Sequence, residues 1–184
     1  MDLNHNCTNC GLYHTRTNYV AGRGNLSADI MIIGEAPGEQ EDLTGIPFVG
    51  PAGKLLDAML ASIGLGEDNC YITNVVKCRP PNNRKPTPIE VKACSVELDK
   101  EKAEVNPKII ISFGATSANA IINESNKVIP LSSLREQYWL LNNNIQGMAT
   151  YHPSYLLRNP DAKDLAWSDL LGFKRLIDKL DLLK

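Results

Sequence analysis

The sequence predicts an α/β domain: a three-layer sandwich with a mainly parallel, four-stranded central sheet flanked by helices. Three observations predict it. Short apolar runs recur at residues 30–33, 71–76, 109–113 and roughly 148–151, each the length of a buried strand and too short for a buried helix. Helical patterns separate these runs, and strands alternating with helices build a parallel sheet covered on both faces. Two of the runs end in tight polar loops, Gly34-Glu35-Ala36-Pro37-Gly38 and His152-Pro153-Ser154, where glycine and proline stop the strand.

The helices follow in order. Residues 51–63 place Leu55, Leu56, Met59, Leu60 and Ile63 on one face, the spacing of an amphipathic helix. Thr87-Pro88-Ile89-Glu90 is a capping box with proline at the first helical position, so a helix starts there and runs to about Val105. A shorter helix over 115–122 follows the third strand, and an amphipathic helix over 162–183 closes the chain. Residues 137–141 and 145–149 flank Asn142-Asn143-Asn144, which predicts a hairpin. No repeat or low-complexity tract interrupts the pattern, and 184 residues suit one domain over 1–184.

Apolar residues make up 43% of the chain, enough for a core and far from the profile of a disordered protein. The formal charge of -2 excludes a global basic field but leaves room for a local one. The candidate is Lys77, Arg79, Arg84, Lys85 and Lys92, opposed only by Glu90. On charge alone it reads as a solvated loop face. No apolar stretch is long enough to span a bilayer, and the polar N-terminus lacks a signal-peptide core. The chain therefore reads as intracellular, where cysteines serve as ligands, catalysts or buried hydrophobes rather than disulfides.

Of the five cysteines, Cys7 and Cys10 form a C-x2-C knuckle beside Gly11, and Cys78 and Cys94 form a second, wider pair flanking the basic loop. Four thiolates suit zinc or an iron–sulfur cluster, and spacing alone does not choose. Such a group would be structural, tying the N-terminal segment to the 77–94 region. Cys70 stands apart as a small buried residue at the start of a strand. Between the pair, residues 79–86 are rich in donors and poor in ordering contacts; anchoring both ends would hold their cations ready for phosphates.

Three motifs now stand in order: Gly34-Glu35-Ala36-Pro37-Gly38 with Glu41-Asp42 and Gly45-Ile46-Pro47-Phe48-Val49-Gly50; Ile72-Thr73-Asn74-Val75-Val76-Lys77-Cys78-Arg79-Pro80-Pro81; and His152-Pro153-Ser154-Tyr155. With the cysteine set, they resemble the family 4 uracil-DNA glycosylases from Cys7 to the last helix. Within that superfamily, family 1 carries an aspartate where this chain has Ala36. A DNA-crosslinking branch carries glutamine there and a histidine-bearing basic insert. This chain lacks the family 1 aspartate, as family 4 does, and Ala36 with the histidine-free 79–86 loop argues against the crosslinking branch.

The resemblance implies an enzyme that flips uracil out of DNA and hydrolyses its N-glycosidic bond, leaving an abasic site for base excision repair. It implies a structural [4Fe–4S] cluster on Cys7, Cys10, Cys78 and Cys94, and no catalytic metal. It assigns Phe48 to stacking on uracil, Asn74 to O4 and N3–H, and His152 to O2 and the departing anion. Glu41 lies beside C5, where it excludes thymine's methyl, and Ala36 lies in the same substrate site. Glu35 is the candidate for positioning water or for an electrostatic role, and Asp42 braces the loop. Arg79, Arg84, Lys85, Ser154, Tyr155 and Arg158 are the DNA-contacting set, with Leu156 or Leu157 as a minor-groove wedge. The expected partner is single- or double-stranded DNA containing uracil. The expected protein is a monomer, cytoplasmic and nucleoid-associated, of a prokaryotic or viral host. No replication-clamp or polymerase contact is legible in the chain. Two other readings remain open: a glycosylase preferring another deaminated base, and a catalytically silent DNA-binding or inhibitory module of the same fold.

Overall fold

Four buried strands run parallel at the centre of the molecule: β2 (Ile30–Gly34), β3 (Cys70–Asn74), β4 (Ile109–Phe113) and β6 (Gln146–Thr150). The computed structural model describes residues 3–122, 128–135, 137–141 and 144–183. Two short strands, β1 (Arg23–Gly24) and β5 (Trp139–Leu140), add antiparallel at the edges. Among the described residues the sheet therefore has six strands, in the order β1-β3-β2-β4-β6-β5, rather than the expected four. An edge strand of two residues is too short to carry a periodic pattern. The expected hairpin forms, with Trp139 opposite Gly147 and Leu140 opposite Gln146. Asn142 and Asn143 of its turn lie outside the described residues.

Side chains alternate across a strand, and here both faces are apolar. Ile30, Ile32, Ile109, Ile111 and Phe113 pack on one side with α2 (Pro51–Ala61) and α7 (Lys163–Lys179). Met31, Ile33, Tyr71 and Ile110 face the other side, against Leu98 and Val105 of α3 (Pro88–Val105) and Ala120 and Ile121 of α4 (Ala115–Ile122). Fully burying each such side chain contributes roughly 1.5–3 kcal/mol, so these two cores fix the register of the parallel strands. The capping box forms as expected: Thr87 Oγ1 accepts from Glu90 N at 3.3 Å, and Glu90 Oε2 accepts from Thr87 N at 2.7 Å. No helix among the described residues is long and apolar enough to cross a membrane.

Two boundaries matter for function. β3 ends at Asn74, not Val76, so Asn74 sits at the carboxyl edge of the sheet. Val75 and Val76 leave it by donating to the carbonyls of Gly34 and Glu35 at 3.0 and 3.2 Å. A four-residue helix, α5 (Leu131–Leu134), precedes β5, and after β6 His152 caps the short helix α6 (Pro153–Arg158).

Candidate functional site

The loops after β2, β3, β4 and β6 all leave the carboxyl edge of the parallel sheet, the usual place for a ligand crevice in such folds. They enclose a cavity of about 630 Å³. Glu35, Ala36, Glu41, Phe48, Asn74 and His152 line it together, although more than a hundred residues separate the first from the last. Arg84, Lys85, Ser154, Tyr155 and Arg158 also border it; Arg79, Leu156 and Leu157 do not.

Phe48 is held in a left-handed conformation, φ 57°, and is 5% exposed. Two glycines make this possible. A Cβ on Gly34 would stand 2.3 Å from Phe48 Cζ and 2.5 Å from Asn74 Oδ1, so its absence lets ring and amide meet across β2. A Cβ on Gly53 would stand 1.9 Å from the Phe48 carbonyl oxygen. That oxygen also accepts from Arg23 Nη2 at 3.4 Å, and the same nitrogen donates to Asp57 at 2.9 Å.

Asn74 is 2% exposed, and its Oδ1 is buried with no hydrogen-bond partner. His152 Nε2 is in the same condition. Buried polar atoms are normally satisfied, because leaving one unpaired costs roughly 1–3 kcal/mol. The other imidazole nitrogen identifies the tautomer. Ser154 N donates to His152 Nδ1 at 3.2 Å, and Ser154 Oγ lies 2.8 Å away. A backbone N–H can only donate, so Nδ1 is the acceptor and Nε2 carries the hydrogen. Burial, with a contribution from Arg158, lowers the His152 pKa to about 4. At neutral pH the pocket therefore holds a neutral imidazole presenting an unused N–H.

Glu41 lines the cavity and also ties its loops together. Its Oε1 accepts from Val49 N and Gly50 N at 2.9 and 2.8 Å, and its Oε2 accepts from Gly38 N at 3.0 Å. The carboxylate latches the Phe48 loop to the start of α1 (Glu39–Thr44) while forming part of the wall. Asp42 braces the loop as expected, accepting from Thr17 N at 2.8 Å and Asn18 N at 3.2 Å. The Glu35 carboxylate lines the cavity with no hydrogen bond among the described residues.

On the DNA-facing side one expectation is narrowed and two need correction. Leu156 is 1% exposed and packs in the core with α2 and α7, whereas Leu157 is 48% exposed. Consecutive helical residues point about 100° apart; here that turns Leu156 into the core and Leu157 to the surface, so Leu157 is the one available as a wedge. The 79–86 loop is ordered by its own side chains: Arg79 Nε donates to Asn83 Oδ1 at 2.8 Å, and Arg84 makes a two-bond pair with Glu90 at 2.7 and 2.9 Å. That pair holds the Glu90 carboxyl down at about 2. Lys77, grouped by sequence with the surface cations, is wholly buried and paired with Glu101 at 2.5 Å.

Sequence reasoning also missed a second buried pair beside the site. Arg135 donates to both oxygens of Asp169 at 2.7 and 2.9 Å and to Tyr151 Oη at 3.3 Å, while Thr150 Oγ1 donates to Asp169 at 2.6 Å. This network holds the end of β6, from which His152 projects. The signal for Lys77 was present in α3: Glu97 and Glu101 recur at helical spacing on the face that carries Cys94, Leu98 and Val105.

All five cysteines are free thiols. Cys7, Cys78 and Cys94 are buried in one cluster, with Cys10 packed against it. The four lie close enough that, after burial, a negative charge on one would raise another: Cys10 and Cys7 raise Cys78, and Cys78 and Cys10 raise Cys94. Burial pushes the Cys94 thiol up to about 12 and raises Cys78. Two donors point at these sulfurs, Arg16 Nη1 to Cys78 Sγ at 3.1 Å and Lys77 N to Cys94 Sγ at 3.4 Å. Among the described residues, no group of three or more His, Cys, Asp or Glu side chains forms a metal-ion site. Cys70 is buried at the start of β3, apart from this cluster, as expected.

The family model of the uracil DNA glycosylase superfamily matches residues 21–171. The chain is 43% identical over 177 residues to the type-4 uracil-DNA glycosylase of Archaeoglobus fulgidus, covering 94% of this chain and 89% of that one. It is 46% identical over 155 residues to the type-4 uracil-DNA glycosylase of Thermotoga maritima, covering 83% and 79%. With the type-4 uracil-DNA glycosylase of Saccharolobus solfataricus it shares 41% identity over 176 residues, covering 93% and 82%.

Proposed function

The chain belongs to the uracil DNA glycosylase superfamily, in its type-4 branch, and on that premise we propose that its cavity is the uracil site of a DNA N-glycosylase. The observation that carries the reading is the pair of orphaned atoms, Asn74 Oδ1 and His152 Nε2, on one wall system with Phe48. Uracil supplies the missing partners. Its N3–H satisfies Asn74 Oδ1, the Asn74 amide N–H serves O4, and His152 Nε2–H serves O2.

The reaction begins by taking the nucleotide out of the stack, which costs a few kcal/mol. Phe48 offsets part of that cost by stacking on the base, worth about 1–3 kcal/mol. The bond between uracil N1 and the sugar C1′ then breaks, and its electron pair leaves with the base. Charge collects on O2, where His152 Nε2–H is already placed and neutral. One such donor contributes about 2.7–4 kcal/mol to the transition state. Water adds its hydroxyl to C1′, and its proton ends on the base. Glu35, the acid in the cavity with no hydrogen bond among the described residues, is the residue proposed to position that water. Ala36 leaves the space beside it free of a second carboxylate.

Lys85, Ser154, Tyr155 and Arg158 at the rim, with Leu157 beside them, form the proposed DNA-facing edge. Arg79 and Arg84 act indirectly, by shaping the loop that carries Lys85. Cys7, Cys10, Cys78 and Cys94 fit a [4Fe–4S] cluster: four clustered thiols, three of them buried, with N–H groups aimed at the sulfurs of two. When bound, the cluster supplies a structural tie between the N-terminal segment and the 77–94 region. A cytoplasmic, nucleoid-associated monomer is the setting this reading implies.

The test is an end-labelled single-stranded oligonucleotide with one uracil, incubated with the protein and treated with alkali. A break at uracil and none at a thymine control supports the reading. No break, in protein absorbing near ~400 nm from an intact cluster, overturns it in favour of another lesion or a silent binding module.

A further inference from the structure

One buried cation reaches the base-recognition amide from behind the cavity. Lys77 Nζ donates to Thr73 Oγ1 at 2.6 Å, to the Asn74 backbone oxygen at 2.7 Å and to Glu101 Oε2 at 2.5 Å. An ammonium has three protons, so none is left for DNA. Glu101 is equally buried and accepts from Thr73 Oγ1 at 2.8 Å, Tyr71 Oη at 3.2 Å and Gly22 N at 3.0 Å. The main chain of Lys77 is pinned as well: Val20 N donates to its carbonyl at 2.8 Å, and its own N–H points at Cys94 Sγ.

Asn74 is the last residue of β3, where the ladder ends and the chain turns away. Its side chain carries the orphaned Oδ1, so small rotations of its main chain re-aim that atom. Apolar residues of similar volume often hold a core as well as a buried ion pair does. They cannot hold a carbonyl. We propose that Lys77 is a positioning residue for base recognition: its ammonium fixes the main chain at Asn74 and so aims the Asn74 amide at uracil. This rests on the assignment of Asn74 to the uracil edge.

The experiment compares Lys77→Met, Glu101→Gln and the double variant Lys77→Met/Glu101→Gln. Each is read by thermal midpoint, by kcat and KM on the uracil oligonucleotide, and by the 15N side-chain amide resonances of Asn74, assigned by their loss in Asn74→Ala. The double variant leaves no unpaired buried charge and is expected to melt above either single variant. Its Asn74 resonances shift or broaden, and its kcat/KM on uracil falls about a hundredfold. Lys77→Met alone gives the same signature in a second background, while Glu101→Gln, which keeps the bond to Asn74 O, retains wild-type resonances. Unchanged Asn74 resonances in the two Lys77 variants, or unchanged efficiency there when the wild type cleaves uracil, overturn the proposal. A wild type that leaves uracil intact overturns the glycosylase reading instead, and the Asn74 resonances still decide the role of Lys77.

Discussion

The rings of Phe48 and His152 face one another in the cavity, centroids 6.0 Å apart and planes inclined by 30°. They come from loops on different strands, one braced by Glu41 and the other by the α6 cap. The arrangement places a stacking surface and a hydrogen-bond donor on one small planar ligand. Phe48 also packs in the core with α2, so its two roles must be separated. Phe48→Ala is expected to lose about 3–5 kcal/mol of stability through the cavity it leaves. Phe48→Leu keeps most of the volume and loses the stacked ring; its KM on uracil-containing DNA rises by about 1–3 kcal/mol equivalent, with a smaller change in melting midpoint.

The buried imidazole makes a pH prediction. His152 titrates near 4 in the folded chain against an ordinary value of 6.5. Because the folded value is the lower one, the unfolded chain binds the extra proton first. The resulting stability is present in full above 6.5 and is lost as pH falls from 6.5 toward 4. An NMR titration of the His152 ring is expected to show no protonation between roughly pH 5 and 8. A midpoint near 6.5 would contradict the burial argument. His152→Ala lowers kcat by about a hundred- to a thousandfold, measured by single-turnover cleavage.

The two adjacent leucines are expected to behave oppositely. Leu156→Ala costs about 2–5 kcal/mol of folding stability, since the side chain is in the core. Leu157→Ala leaves the melting midpoint nearly unchanged and lowers cleavage of uracil in duplex DNA more than in single strands, where no gap needs filling. Equal losses on both substrates would remove Leu157 from the wedge role.

The basic loop separates in the same way. Lys85→Ala reduces the salt dependence of single-strand binding by about 0.7 in log–log slope, the contribution of one phosphate contact. Arg84→Ala changes that slope less, because its guanidinium is already held by Glu90. It should instead release the Glu90 carboxyl from about 2 toward its ordinary 4.5. The depressed pKa stabilises the fold above 4.5 and that contribution fades as pH falls toward 2, so the variant's deficit in melting midpoint is largest above pH 4.5.

The central strands were legible because they are short, apolar and bounded by turn residues. The cavity residues were legible because chemistry-bearing side chains stood at the ends of those strands. Burial direction was not. Leu156 and Leu157 look alike in sequence, and only the docking of α6 on α2 distinguishes them. Lys77 is indistinguishable in sequence from its cationic neighbours; its pairing with Glu101, on a different element, sets it apart. Arg135 and Asp169 are separated by 34 residues, and no local pattern links them. Edge strands of two residues carry no period at all. What escaped the sequence is pairing between distant elements, which depends on tertiary placement rather than local propensity.

The three main-chain amides gathered by Glu41 have a thermodynamic consequence for the ligand. A wall made of loop residues normally loses freedom when something binds against it, and affinity falls by that amount. Here Gly38, Val49 and Gly50 are already tied to one carboxylate before any base arrives. The entropy of ordering that wall was spent during folding, so the encounter with a flipped nucleotide is closer to a rigid mould receiving a casting than to a hand closing on it.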